Sequence, residues 1–274
     1  MTTTTDGGKR ITAAGWETNY HDVGEGEPVL FLHGSGPGVS AMANWRLALP
    51  DLSRSFRCVA PDSIGFGFSA RPGDIRYDVE AWAKHATGFL DALGLETVSI
   101  VGNSLGGRIA LGIAAAHPER VRRLILMGSP SLAMGPTEGL KALRSYEPST
   151  ENMRRLMEVY FAYDPSIITG DLVRTRYEAS VLPGAQETYY TMFHDPRNAD
   201  NIPPFTADEL SAIGVPTLVL HGREDKVVSV ESGIALGRLI PNAQLHVFSG
   251  CGHWVQIEKA PEFTHLTRWF LESD

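Results

Sequence analysis

Six short apolar runs recur along this chain, bounded by Gly, Pro or Asp and separated by helical patterning. They are Val29 to Leu32, Phe56 to Ala60, Val98 to Val101, Leu124 to Met127, Thr217 to Leu220 and Leu245 to Phe248. A run that is largely apolar reads as a strand buried on both faces. Strands of this kind alternating with helices predict an α/β fold: a mostly parallel twisted sheet with flanking helices. Ile11 to Tyr20 reads as antiparallel strands at the sheet edge. Leu105 to Ala116 is apolar on nearly every side, which predicts a helix buried against the sheet and stopped by Pro118.

The rhythm breaks between about Gly135 and Pro204, where Met, Tyr and Arg at helical spacing replace buried-strand patterns, as in Met153 to Phe161. Residues 135–204 are therefore expected to form a helical cap inserted after the sixth buried or edge strand, with 1–134 and 205–274 as the core. An insertion there would cover the C-terminal ends of the strands, where open α/β sheets place their ligands.

The 274 residues are 43% hydrophobic and 20% charged, enough for one large domain with a core that needs no metal or disulfide. Cys58 lies in an apolar strand and Cys251 between two glycines, so the pair is expected to stay reduced. Net charge is −8 with scattered basic residues, which argues against a nucleic-acid partner. Met1 to Arg10 is polar and Thr-rich, unlike a signal peptide, and no run approaches the roughly 18 apolar residues of a membrane span. These features lead us to expect a soluble cytoplasmic protein with no membrane partner.

Gly102-Asn103-Ser104-Leu105-Gly106 fits G-x-S-x-G, a match that arises by chance in roughly one chain of this length in ten. Its place gives it weight: a strand meets a helix there, and a nucleophile elbow needs small flanking residues at that junction to relieve a strained turn. A lone hydroxyl is a poor nucleophile, so Ser104 requires a base, and the base requires an acid to fix its tautomer. The order Ser, acid, His expected on this fold is met by Asp225, after the run Thr217 to Leu220, and His253, after Leu245 to Phe248. Glu224 is the competing acid. His117 reads as a helix C-terminal residue, and His221 and His246 as hydrogen-bonded core groups. His33-Gly-Ser-Gly-Pro-Gly38 follows the first buried run, where Ser35 and Leu105 would donate the backbone N–H groups of an oxyanion hole. The loop lacks the Lys-Ser/Thr ending of a phosphate-binding P-loop. No metal-ligand spacing remains once the triad is assigned, so no metal is expected.

With these parts in place the chain resembles the meta-cleavage product hydrolases, particularly those acting on 2-hydroxymuconic semialdehyde and its alkyl relatives. The likeness is carried by His33 to Gly38 with Asn44-Trp45, by Val101 to Gly107, by Arg174-Thr-Arg-Tyr-Glu-Ala179, and by Leu245 to Trp254. It implies cofactor-free hydrolysis of a carbon–carbon bond in an anionic 2-hydroxy-6-oxohexa-2,4-dienoate, and a homo-oligomer, dimer or larger. By position it implies that Asn44, Asn103, Arg176 and Trp254 hold the dienoate end of the substrate. Each has a plainer reading: Asn103 as a brace for the elbow, Asn44 as a helix cap, Trp254 as a cover for His253, and Arg176 as a solvated arginine. Leu105 is a small departure, since relatives often carry another apolar residue there, and a backbone donor tolerates the change. A carboxylesterase or lactonase on the same triad, and a non-catalytic ligand receptor, are the competing functions. Dehalogenases and epoxide hydrolases place Asp where Ser104 stands.

Overall fold

The computed structural model describes residues 7–198 and 200–273. The Thr-rich start through Asp6, part of the segment read above as unlike a signal peptide, lies outside the described residues. Eight strands form one sheet: β1 (Lys9–Ala13), β2 (Trp16–Val23), β3 (Pro28–Leu32), β4 (Arg57–Pro61), β5 (Val98–Asn103), β6 (Val121–Met127), β7 (Thr217–Gly222) and β8 (Ala243–Phe248). Their order is β1-β2-β4-β3-β5-β6-β7-β8. β1, β2 and β4 pair antiparallel, and β4 through β8 run parallel.

From β3 the chain crosses outward to β4, then returns to place β5 on β3's other side. The C-terminal ends of β3 and β5 are thus a topological switch point, where the connections diverge and leave a crevice. The buried strands serve both faces by simple alternation. Leu30, Leu32, Val59, Ile100, Leu124, Leu126 and Val219 join one apolar layer, which also takes in the helix Leu105–Ala116. Val29, Phe31, Cys58, Val101, Ile125, Met127 and Leu218 join the other, under the C-terminal helix Ala260–Glu272.

The last run departs from expectation. β8 has a neighbour on one side only, so Leu245 is 38% exposed and His246 is exposed, not a satisfied core group. Phe248, at its end, is buried.

Among the described residues the connection from β6 to β7 contains helices and no strand: Glu138–Arg144, Thr150–Leu156, Gly170–Ser180, Ala185–His194 and Ala207–Ser211, with one π-turn at Met157–Phe161. It is fastened to the sheet by hydrogen bonds. Gly139 N–H donates to the Lys226 carbonyl at 3.1 Å, Lys226 Nζ to that of Val159 at 2.9 Å, and His253 N–H to that of Phe161 at 2.8 Å. No helix among the described residues is long and apolar enough to cross a membrane.

Candidate active site

Ser104 is held at φ +53° and ψ −116°, a conformation that L side chains rarely adopt, between the end of β5 and the first turn of the helix Leu105–Ala116. The glycines of the motif make this turn possible. A Cβ on Gly102 would lie 2.6 Å from the Gly106 carbonyl and the Gly107 Cα, and one on Gly106 would strike the backbone of Leu32 and His33. Ser104 N–H donates to the Met127 carbonyl on β6 at 2.8 Å, which ties the turn to the neighbouring strand.

The acid and base converge from the ends of β7 and β8. His253 Nδ1–H donates to Asp225 Oδ2 at 2.7 Å, with both side chains buried, which leaves Nε2 as the proton acceptor. Asp225 Oδ1 accepts the N–H groups of Val227 and Val228 at 2.8 and 2.9 Å. Burial works to raise the Asp225 pKa, but His253 and His221 outweigh it and hold the carboxyl well below the usual range. Glu224 is turned away: it accepts the Cys251 N–H at 3.1 Å and pairs with Arg223 at 2.8 Å. Gly128 takes φ +52°, and a Cβ there would lie 3.1 Å from His253 Nδ1 and 3.3 Å from Asp225 Oδ2.

Two cavities meet at Ser104. The smaller, about 20 Å³, is lined by Ser35, Asn44, Asn103, Phe161, Arg176, His253 and Trp254, among others. Arg176 is buried here with no hydrogen-bond partner at Nε; its guanidinium stands 5.8 Å from the Trp254 ring centroid. Burial and nearby Arg46 pull its pKa down to about 10, so it remains cationic at neutral pH. Asn44 Nδ2 is likewise buried without a partner, and the helix start is capped instead by Ser40, whose Oγ accepts from Ala43 N–H. Asn103 both lines the cavity and braces the elbow, donating to the Met127 carbonyl at 3.3 Å. Trp254 packs on Phe161 with ring centroids 4.9 Å apart.

The larger cavity, about 370 Å³, is mainly apolar, lined by Leu105, Leu132, Leu143, Ile202, Val227 and Val228 among others, with Ser35 and Ser104 at its junction with the first. Half-buried Arg144 is also on its wall, as is Arg108, which is held by the Pro203 carbonyl. Leu105 is the first residue of its helix, so its N–H has no intrahelical acceptor. Beneath Ser35, buried His33 donates Nδ1–H to the Gly34 carbonyl at 2.7 Å and accepts the Ser63 N–H at Nε2, fixing the loop. Every site residue expected from the sequence therefore faces one of these cavities or the Asp225–His253 pair. Gly128 was not singled out beforehand, and His33, Phe161 and His221 were read only as part of the loop motif, of the helical segment and of the core; the roles seen here come from contacts across the fold.

A family model described as alpha/beta hydrolase fold matches residues 27–156 and 176–260. The 2-hydroxy-6-oxo-2,4-heptadienoate hydrolase of Pseudomonas putida strain F1 is 49% identical over 97% of this chain and 97% of its own length. The 2-hydroxymuconate semialdehyde hydrolase of Pseudomonas sp. strain CF600 is 48% identical over 96% of this chain and 93% of its own. The chain belongs to the meta-cleavage product hydrolase family. The hydrolase also superposes on a mutant of the meta-cleavage product hydrolase from Pseudomonas fluorescens IP01, solved with acetates, with a TM-score of 0.93. Those two chains are 49% identical, and the alignment covers 96% of this hydrolase and 97% of the other.

Proposed function

We propose that this hydrolase cleaves the carbon–carbon bond of a 2-hydroxy-6-oxohexa-2,4-dienoate bearing hydrogen or a short alkyl group at C6. The products are 2-hydroxypenta-2,4-dienoate and a carboxylic acid, a step in the catabolism of aromatic compounds. The observation that carries the reading is the position of Ser104 between a tight cavity holding an unpaired buried cation and a roomier apolar one. A dienoate has the matching ends: a carboxylate for Arg176, Asn44 and Asn103, flanked by Trp254, and an acyl group for the apolar side.

A bare carbanion is a prohibitive leaving group, so the dienol must first become its keto tautomer, which can accept the electron pair of the breaking bond. Ser104, with His253 as base and Asp225 as its orienting acid, then brings about the addition of water at the C6 carbonyl, the water oxygen staying with the departing acid and one proton passing to His253. The backbone N–H groups of Ser35 and Leu105 receive the negative charge on the carbonyl oxygen; one such donor supports about 3 to 4 kcal/mol of transition-state stabilisation. The C5–C6 bond breaks, its electrons pass into the conjugated ketone, and the imidazolium of His253 returns a proton.

With a net charge of −8 the protein repels a distant anion, so capture of the substrate is local. Losing one charge-assisted hydrogen bond costs about 1.5 to 3 kcal/mol, so Arg176→Ala is expected to lower kcat/KM for the dienoate by roughly 10-fold to 150-fold. A neutral aryl ester, which bypasses the carboxylate site, keeps most of its rate. Equal losses on ester and dienoate would make Arg176 a structural residue, and an ester preferred by the wild type would favour a carboxylesterase. The preference for small C6 groups is supported by the two relatives that act on the heptadienoate and the semialdehyde. It is tested by kcat/KM for 6-hydrogen, 6-methyl and 6-phenyl dienoates, and fails if phenyl leads.

We assign residues 135–204 as the cap over this site and 1–134 with 205–274 as the core. We also place the protein in the cytoplasm as a homo-oligomer, dimer or larger, which the family resemblance supports and light scattering checks.

A further inference from the structure

His221, the fifth residue of β7, is fully buried, and its Nε2 stands 2.9 Å from the Val228 carbonyl and 3.3 Å from Asp225 Oδ2. Both neighbours are acceptors, so Nε2 must carry the proton. Nδ1 is buried with no hydrogen-bond partner, and a Cβ on Gly233 would lie 2.5 Å from it. A proton on Nδ1 would therefore be a buried, unsatisfied donor on a cation, whereas the neutral ring leaves only a lone pair unmet.

We infer that His221 is a positioning residue for the hydrolase: a neutral Nε2–H donor that pins the 225–228 turn through the Val228 carbonyl and stands against Asp225 Oδ2, so that the carboxylate stays turned toward His253. Three further contacts make the assignment specific. Asp225 Oδ1 is already filled by the N–H groups of Val227 and Val228, so Oδ2 is the oxygen that faces the side chains: His253 donates to it at 2.7 Å, and His221 Nε2 stands 3.3 Å from it. Val228, whose carbonyl His221 also holds, belongs to that same turn and lines the larger cavity. Because the donor is neutral, it restrains the carboxylate without cancelling its charge, which stays available to the imidazolium that forms on His253. A cation in the same place would compete for that charge.

The inference rests on Asp225 and His253 being the acid and base, and the experiment separates the two claims. Steady-state kinetics on the dienoate are measured for His221→Leu, which removes the donor, and His221→Gln, whose amide nitrogen can replace Nε2–H, alongside Asp225→Asn and His253→Ala. Expected is a 10-fold to 100-fold lower kcat in His221→Leu with KM little changed, and recovery to within about 3-fold of wild type in His221→Gln. The far-downfield proton resonance of the His253–Asp225 hydrogen bond should weaken or shift in the Leu variant and persist in the Gln variant. Full activity in His221→Leu while Asp225→Asn and His253→Ala are inactive overturns the positioning role alone. Equal losses in Leu and Gln variants with an intact fold overturn the neutral-donor assignment. Activity retained in Asp225→Asn and His253→Ala overturns the triad itself. Should His221→Leu not fold, neutron diffraction from wild-type crystals decides: deuterium on Nε2 alone supports the inference, and deuterium on both nitrogens overturns it.

Discussion

Gly128, at the end of β6, stands against the imidazole of His253 so closely that a methyl group in place of its hydrogen would lie 3.1 Å from Nδ1. The same methyl would lie 3.3 Å from Asp225 Oδ2, and the backbone there has φ +52°. Gly128→Ala therefore combines left-handed strain of about 1 to 2 kcal/mol with displacement of the acid–base pair. We expect kcat to fall roughly 100-fold, since small misplacements of reacting groups cost about that much. Steady-state kinetics with a circular dichroism control check it, and a fully active variant contradicts it.

Ser104→Ala and His253→Ala should each reduce turnover by roughly 10⁴-fold or more while leaving the fold intact, because a triad acts as a unit. Rapid-mixing spectra of Ser104→Ala should still show the dienol bind. Near-normal product formation in either variant removes the assignment of these residues.

Glu258 accepts the N–H of Gly252 at 2.8 Å and of Tyr163 at 2.7 Å, joining the His253 loop to the helical segment. Glu258→Ala leaves these donors without their acceptor; water can replace it at exposed Tyr163, but at buried Gly252 an unmet donor costs about 1 to 3 kcal/mol. A lower melting temperature together with reduced kcat is expected, measured by calorimetry and by turnover. An unchanged melting temperature would show that water replaces the carboxylate at no cost.

Two buried histidines make folding sensitive to acid. Burial holds His33 and His85 down to about 4, against an ordinary value of 6.5. Each binds its proton more readily in the unfolded chain, so its contribution is whole above pH 6.5, shrinks as pH falls, and is gone below about 4. A difference of that size amounts to about 3 kcal/mol per group. Denaturant unfolding at pH 7 and pH 5 should show the loss. In His85→Gln, which replaces the partner of Thr18 Oγ1, the dependence should flatten. An identical slope in that variant refutes the contribution of His85.

The proposed triad could be read from the sequence because its chemistry restricts both residue type and place: Ser104, Asp225 and His253 each follow a run of apolar residues that became a strand of the sheet. Pattern alone could not tell a central strand from an edge, so Leu245 to Phe248 read as buried although β8 has one neighbour. For Asn44 the sequence left a cap and a ligand group equally open, and Ser40 takes the cap. Gly128 is one of 28 glycines, and nothing local distinguishes it, because its constraint is a contact with side chains that arrive from β7 and β8. His221 was legible as a buried polar group but not as a neighbour of Asp225, which depends on how the 225–228 turn folds back.

The hydrogen bond from His253 N–H to the Phe161 carbonyl gives the helical segment a second role besides covering the cavities. Residues 157–161 cannot lift from the core without taking an acceptor away from the backbone of the catalytic base. Phe161 also lines the smaller cavity, so one residue shapes the wall that meets the substrate and, through its carbonyl, the seat of the imidazole.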